Sequence, residues 1–176
     1  MKLVRMVYAS KASKSFNPRE IMLVLEASKR NNPKQGVTGL LFLGNKYFFQ
    51  CLEGPRPAVN RIYNKILTDP RHEDVQILEM RETTGRYFDG WSMKFISLKS
   101  IENKFIRQTG LSSFDPYKLD SNGVDELLNA FRQTEHTKEI QISEEERVPV
   151  PSTSKGSGFS FFNWFRRRNA AMPTSA

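Results

Sequence analysis

Between Gly36 and Glu53 the chain reads GVTGLLFL, then GN, then KYFFQCLE. Two β-rich runs around a tight turn signal are the pairing expected of a β-hairpin. Side chains alternate along a strand, so Phe48, Gln50 and Leu52 share one face, and Tyr47, Phe49, Cys51 and Glu53 share the other. A primary amide among apolar neighbours is costly unless both its carbonyl and its NH2 are partnered. Gln50 is therefore either satisfied structurally or met by something polar.

The flanking segments narrow the fold. LVRMVYAS (Leu3–Ser10) reads as a first strand with Val4, Met6 and Tyr8 on one face. Asn17-Pro18-Arg19-Glu20 places an N-cap residue before a proline, with a glutamate three residues after the cap. The helix is expected from Pro18 to about Asn31, because Pro33 disfavours helical geometry at Asn32. Val24, Ser28 and Asn31 step along one side of it, with Leu25 and Asn32 alongside. A second helix, Pro57 to Asp69, carries the stripe Val59, Ile62 and Ile66 and is stopped by Pro70. VQILEM and WSMKFISL supply a fourth and a fifth strand, separated by a polar turn region around Gly85. The order β-α-β-β-α-β-β matches the split βαβ, ferredoxin-like motif with one added strand. This is an α+β fold with two helices on one face of an antiparallel-rich sheet. Two short amphipathic helices follow, Ile101 to about Thr109 and Val124 to about Thr134, suited to the face left open. From Ser143 the composition reads as disordered linker, ending in an aromatic cluster and three arginines, FSFFNWFRRR.

Composition excludes several function classes. The one cysteine, Cys51, leaves no disulfide framework and no cysteine-rich metal site, which fits a reducing cytoplasm. No apolar run is long enough to span a bilayer and no signal peptide is evident, so a soluble cytoplasmic protein is expected. Residues 1–98 carry a net +7 of the chain's +8. That charge is scattered, without a helix-turn-helix, zinc or RNP pattern, so direct nucleic-acid binding is not expected. His72 and His136 are far apart and lack metal-ligand spacing. No nucleophile motif, Walker loop or GxGxxG is present, and Gly36, Gly39 and Gly44 mark turns and strand packing. Hydrolytic machinery is absent from the pattern.

What remains is a set of amides facing a redox-active phenol. The first and third strands of the split motif lie side by side in the sheet, which makes Tyr8 and Gln50 candidate neighbours. A tyrosine hydroxyl donates to a glutamine carbonyl while the glutamine NH2 reaches a further acceptor. Asn31 and Asn32, at a helix end, present the groups that read the edge of a planar heterocycle. Val24, Leu25 and Ile66 suit its faces, and Lys65 and Arg71 suit a phosphate tail. The set describes a flavin site as well as it describes anything else.

LVRMVYAS, SKRNNPKQGVTGLLFLGNKYFFQCLEGP, ILTDPRHEDVQIL and RYFDGWSM, in this order and spacing, resemble the BLUF family of blue-light sensors that use flavin. The resemblance covers about residues 2–98. The remainder is similar to the short, stand-alone members, which carry two helices after the sensor and no catalytic output domain. It implies a sensor at 1–98, a helical extension for signalling or oligomerisation at 99–142, and a tail at 143–176. It implies that Tyr8 is the photochemical tyrosine, Gln50 the switching glutamine, and Asn32, with Asn31 beside it, the amide on the isoalloxazine edge. Lys65, Arg71 and His72 fall on the ribityl-phosphate side. Val24, Leu25, Ser28, Phe48 and Ile66 complete the expected pocket, and Trp91 and Met93 take the fifth-strand signalling positions. FAD is the family's usual flavin, and FMN or riboflavin share the ring that the pocket reads. In members, light moves an electron from the tyrosine and its proton through the glutamine, and the rearranged amide shifts the absorption to the red.

Taken alone, each residue has a plainer reading. Strand tyrosines are usually core, Asn31-Asn32-Pro33 reads equally as a helix stop, and Trp91 and Met93 read as packing. Two other functions stay open at this level: a flavin-dependent redox enzyme, and a ferredoxin-like module that binds RNA or protein without a cofactor. Homo-oligomers and an unidentified protein partner are expected, with no enzymatic activity. The aromatic and arginine-rich tail suits a partner or intramolecular contact, with weak membrane attachment as the alternative.

Overall fold

In a computed structural model, residues 2–17, 20–90, 93–96 and 113–133 are described. The expected helix at 101–109, the linker and tail from 143, Trp91 and Pro18 lie outside them. The described residues fall within one compact unit, Met1–Thr137.

Strand β1 (Leu3–Ala12) leads into α1 (Ile21–Asn31), then the hairpin β2 (Thr38–Gly44) and β3 (Tyr47–Pro55). Helix α2 (Arg56–Ile66), β4 (His72–Thr83), β5 (Lys94–Ile96) and α3 (Ser121–Gln133) follow. The sheet order is β4-β1-β3-β2-β5, with the first four strands antiparallel and β5 parallel to β2. The ferredoxin-like expectation is met.

Several boundaries move for local reasons. The hairpin turn lies at Asn45–Lys46, one residue beyond the Gly44-Asn45 pair, and both residues have positive φ (46° and 65°). That is the conformation of a type I′ turn, whose twist matches the strands it joins. Helix α1 begins at Ile21 with Glu20, not Asn17, at the cap and no side-chain capping bond there. The Asn17 carbonyl instead accepts the Glu20 N–H at 2.8 Å, closing a tight turn ahead of the helix. At its other end Asn32 keeps helical dihedrals (φ −65°, ψ −41°) even before Pro33. Gly36, at φ 62°, then reverses the chain. Helix α2 loosens after Ile66 rather than reaching Asp69, because the Thr68 and Asp69 N–H groups bond three residues back, to the Lys65 and Ile66 carbonyls. Gly39 is needed for close approach: a Cβ there would lie 2.1 Å from the Cys51 carbonyl oxygen.

The alternation of β3 divides the core in two. On the front face, Met6, Tyr8, Leu41, Phe48 and Leu52 pack with Ile21 and Leu25 of α1 and Ala58 and Val59 of α2. On the back face, Val7, Phe42, Phe49 and Cys51 pack with Val124, Leu127, Leu128 and Phe131 of α3. Helix α3 thus covers the face that α1 and α2 leave open. Its apolar residues recur at three- and four-residue spacing, so that one stripe meets the sheet.

Glu53 is also on the back face and fully buried. Its carboxylate accepts from Arg5 Nε at 2.7 Å, from the Tyr87 N–H at 2.9 Å and from the Phe88 N–H at 3.0 Å. The clamp joins β1, β3 and the segment after β4. A carboxylate inside a core is tolerated because these donors replace the water it has lost.

Candidate functional site

The front face places Tyr8 and Gln50 directly opposite each other in the β1–β3 register. The Tyr8 hydroxyl donates to Gln50 Oε1, and Gln50 Nε2 lies 3.3 Å from Met93 Sδ. Tyr8, Gln50 and Met93 are all buried. A register shift between β1 and β4 falls between Val7 and Tyr8. Such bulges re-aim side chains and recur beside functional sites. Burial raises the Tyr8 pKa well above its ordinary value; Asp69 and Tyr63 add to this and Arg71 opposes it. The phenol therefore stays protonated at rest.

His72, at the start of β4, closes one side. Its Nδ1 lies 2.7 Å from Ser10 Oγ, and its ring packs on Phe48 at 4.4 Å between centroids. Burial, with help from Arg71 and against Asp69, lowers its pKa to about 4, so the ring is neutral near pH 7. Arg71 gives Nε to Asp69 Oδ1 at 2.8 Å and Nη2 to Oδ2 at 2.5 Å. Burial works against the charged Asp69 carboxylate, but these bonds and the Arg71 charge outweigh it and lower its pKa. The arginine expected near a phosphate tail thus already carries a carboxylate beside the pocket.

On α1, Leu25 and Asn32 are buried, Val24, Ser28 and Asn31 are partly so, and the Ser28 carbonyl accepts the Asn32 N–H at 2.9 Å. Val24 and Ile66 pack against the front core. Lys65 projects from the end of α2; partial desolvation, and then Arg61, lower its pKa. Trp91 lies outside the described residues. Three residues escaped sequence reasoning. Tyr63 packs edge-on to Tyr8 at 5.7 Å, Ser10 meets His72, and Asp69 holds Arg71. Tyr63 stands four residues after Val59, and Ser10 two after Tyr8, so helical and strand periodicity place both on the front face.

The donor set fits a flavin ring. The Gln50 carbonyl is engaged by Tyr8, whereas its buried NH2 has a thioether, a weak acceptor, as partner. The NH2 has two N–H groups, which leaves capacity for a ring carbonyl or nitrogen. Among the described residues no group of three or more His, Cys, Asp or Glu is placed to hold a metal. No helix there is long and apolar enough to cross a membrane.

Comparison with known proteins bears on the same residues. The model of the BLUF family, "Sensors of blue-light using FAD", matches residues 3–94, more than half of the chain. Photoactivated adenylate cyclase subunit beta of Euglena gracilis is 33% identical over 92 residues, which cover 52% of this chain and 11% of that protein. The blue light- and temperature-regulated antirepressor BluF of Escherichia coli K12 is 30% identical over 106 residues, covering 60% of this chain and 26% of that protein. The chain therefore spans only about a tenth to a quarter of these relatives' lengths. Among solved structures, BlsA in its photo-activated state superposes with a TM-score of 0.72 at 29% identity, covering 78% of this chain and 99% of that one. BlrB in its dark state gives 0.64 at 27% identity, with 76% and 97% covered.

Proposed function

The chain belongs to the BLUF family of blue-light flavin sensors, and from that premise we propose that it binds FAD non-covalently against Gln50 and signals through the Tyr8–Gln50–Met93 relay. The supporting observation is the buried chain of contacts from phenol to amide to thioether, with Tyr8 and Gln50 as cross-strand partners. Asn31 and Asn32 read the ring edge, Val24, Leu25, Ser28, Phe48 and Ile66 enclose it, and Lys65, Arg71 and His72 take the phosphate side.

A bound flavin supplies a chromophore that becomes a strong oxidant on absorbing blue light. Tyr8 is the electron source. Loss of an electron makes a phenol strongly acidic, and its proton has Gln50 Oε1 as acceptor. Return of both to Tyr8 leaves the Gln50 amide rotated or tautomerised. A rotated amide turns Oε1 toward Met93 Sδ, and a thioether has no proton to donate. The Gln50–Met93 link is then lost, and the start of β5 repacks.

In this reading residues 1–98 are the sensor, 99–142 relay the change to a protein partner or a second copy, and 143–176 form an accessory tail. The chain has no catalysis of its own. The test is an absorption spectrum before and after blue light. A flavin band that shifts slightly to the red and recovers in the dark is expected, and it vanishes in Tyr8→Phe and Gln50→Leu. Flavin bands that never shift refute the relay. A colourless protein that takes up no added flavin refutes the cofactor.

A further inference from the structure

On the opposite side of the sheet, a cleft of about 780 Å³ opens between the ends of β1 and β4, the segment after β4, and α3. Among the described residues, five cationic side chains line it against two carboxylates. Arg5 is only 2% exposed where it lines the cleft, so it forms part of the floor. Arg5 spends Nε on Glu53, and its guanidinium carbon stands 3.3 Å from the centre of the Tyr87 ring. Its Nη2 is buried and has no hydrogen-bond acceptor among the described residues. Unsatisfied donors of this kind are rare in folded proteins, and each calls for a partner.

The charge around the floor is unevenly matched. Lys2 pairs with Glu82 at the rim. Arg81 holds two carboxylates: Asp125 of α3, through both Nη groups, and Glu79. The Glu79 contact, Nε to Oε1 at 2.8 Å, is an ion pair that does not close into a hydrogen bond. Arg86 and Arg132, by contrast, have no carboxylate partner among the described residues. Arg86 bonds the Thr38 hydroxyl and the Glu53 and Gly36 carbonyls. Arg132 reaches Asn129 Oδ1 at 3.5 Å and stands over Tyr87 at 4.5 Å. Arg132, with only a long contact to Asn129, and Arg86, whose partners are neutral oxygens, leave the cleft an excess of positive charge above the buried Arg5, the chemistry that attracts an oxyanion.

We propose that this cleft binds a phosphate-bearing small molecule. Its volume lies within the usual range for small-molecule sites, about 300–1,000 Å³. The site draws on Arg5 of β1, Arg86 and Tyr87 of the segment after β4, and Arg132 of α3, so an occupant ties α3 to the sheet. Arg5 and the Tyr87 N–H also hold Glu53, three residues along β3 from Gln50. The proposal does not depend on the light response, because binding is read in the dark.

The test is calorimetric titration of the full chain, in the dark and at fixed ionic strength, with inorganic phosphate, adenosine 5′-monophosphate and citrate as probes. Saturable binding of phosphate or the monophosphate is expected. Arg132→Gln, an exposed position that leaves folding intact, should weaken it about tenfold or more, the factor one charge-assisted hydrogen bond supplies. Lys118→Gln, exposed and outside the cleft, should not. If phosphate alone saturates the site, the occupant is free phosphate; tighter binding of the monophosphate points to a phosphorylated metabolite. Absence of heat with both phosphates overturns the proposal. So does citrate binding as tightly as phosphate, or an equal loss in Lys118→Gln, which marks unspecific charge.

Discussion

The pairing of Tyr8 with Gln50 has a thermodynamic signature independent of light. Tyr8→Phe leaves Gln50 Oε1 without its donor, and Gln50→Leu leaves the Tyr8 hydroxyl without its acceptor, both in a buried setting. An abandoned buried polar group costs about 1–3 kcal/mol, so each variant should lose roughly that much stability. The double variant removes both ends at once and leaves nothing orphaned between β1 and β3. It should therefore be more stable than the sum of the single losses implies, by about 1–2 kcal/mol. The Met93 contact contributes little to the cycle, since a thioether is a weak acceptor. Urea unfolding in the dark measures all four forms. Flavin must be removed or saturating throughout, because a ligand of the folded state adds its own stabilisation. Losses that add to within about 0.5 kcal/mol refute the coupling, and with it the claim that this bond bears on the state of the amide.

Other outcomes follow from the same geometry. Glu53→Leu strands the Arg5 charge inside the back-face core and should cost about 3–5 kcal/mol in urea unfolding. Adding Arg5→Met should recover only the part due to that charge, since the Tyr87 and Phe88 N–H groups still lack their acceptor. The His72 pKa is depressed from 6.5 to about 4. Its contribution to stability is therefore complete above about pH 6.5 and lost as pH falls toward 4. The loss is at most about 3 kcal/mol, and His72→Gln should flatten that part of the stability profile. Met93→Leu conserves volume and should change stability by less than about 1.5 kcal/mol. It removes the thioether that faces the Gln50 NH2, so the dark flavin band and the recovery time should both move in absorption measurements.

The fold was legible where burial is one-sided. In β3 the two faces carry different chemistry, so alternation alone assigned Phe48, Gln50 and Leu52 to one core and Phe49 and Cys51 to the other. Strand β4 runs to twelve residues, beyond the VQILEM core, because its ends, HED and RET, are polar residues on an edge strand. An edge strand pairs through its backbone without burying side chains, and hydrophobic patterning does not register that. The oddity of Gln50 drew attention to the front face. Glu53 is as anomalous by the same reasoning, yet its partners are Arg5, 48 residues away, and two backbone N–H groups of an irregular segment. Nothing periodic announces an irregular segment. The Asp69 partner of Arg71 was hidden in the same way, because that bond depends on the turn after α2, a helix that ends sooner than Pro70 suggested.

The spacing of Gln50 and Glu53 has a consequence for how such a chain changes over generations. Three is an odd number, so one strand sends an amide to one surface and a carboxylate to the other. A single inserted or deleted residue between them would make the spacing even and put the amide and the carboxylate on one face, so that one of the two sites loses its residue. Point substitutions on the outer side of α3, away from Val124, Leu127, Leu128 and Phe131, face no such restriction, because the sheet stands between them and the amide. A lineage built this way is free to change the outer surface of α3 one residue at a time while the amide side of the sheet stays as it is.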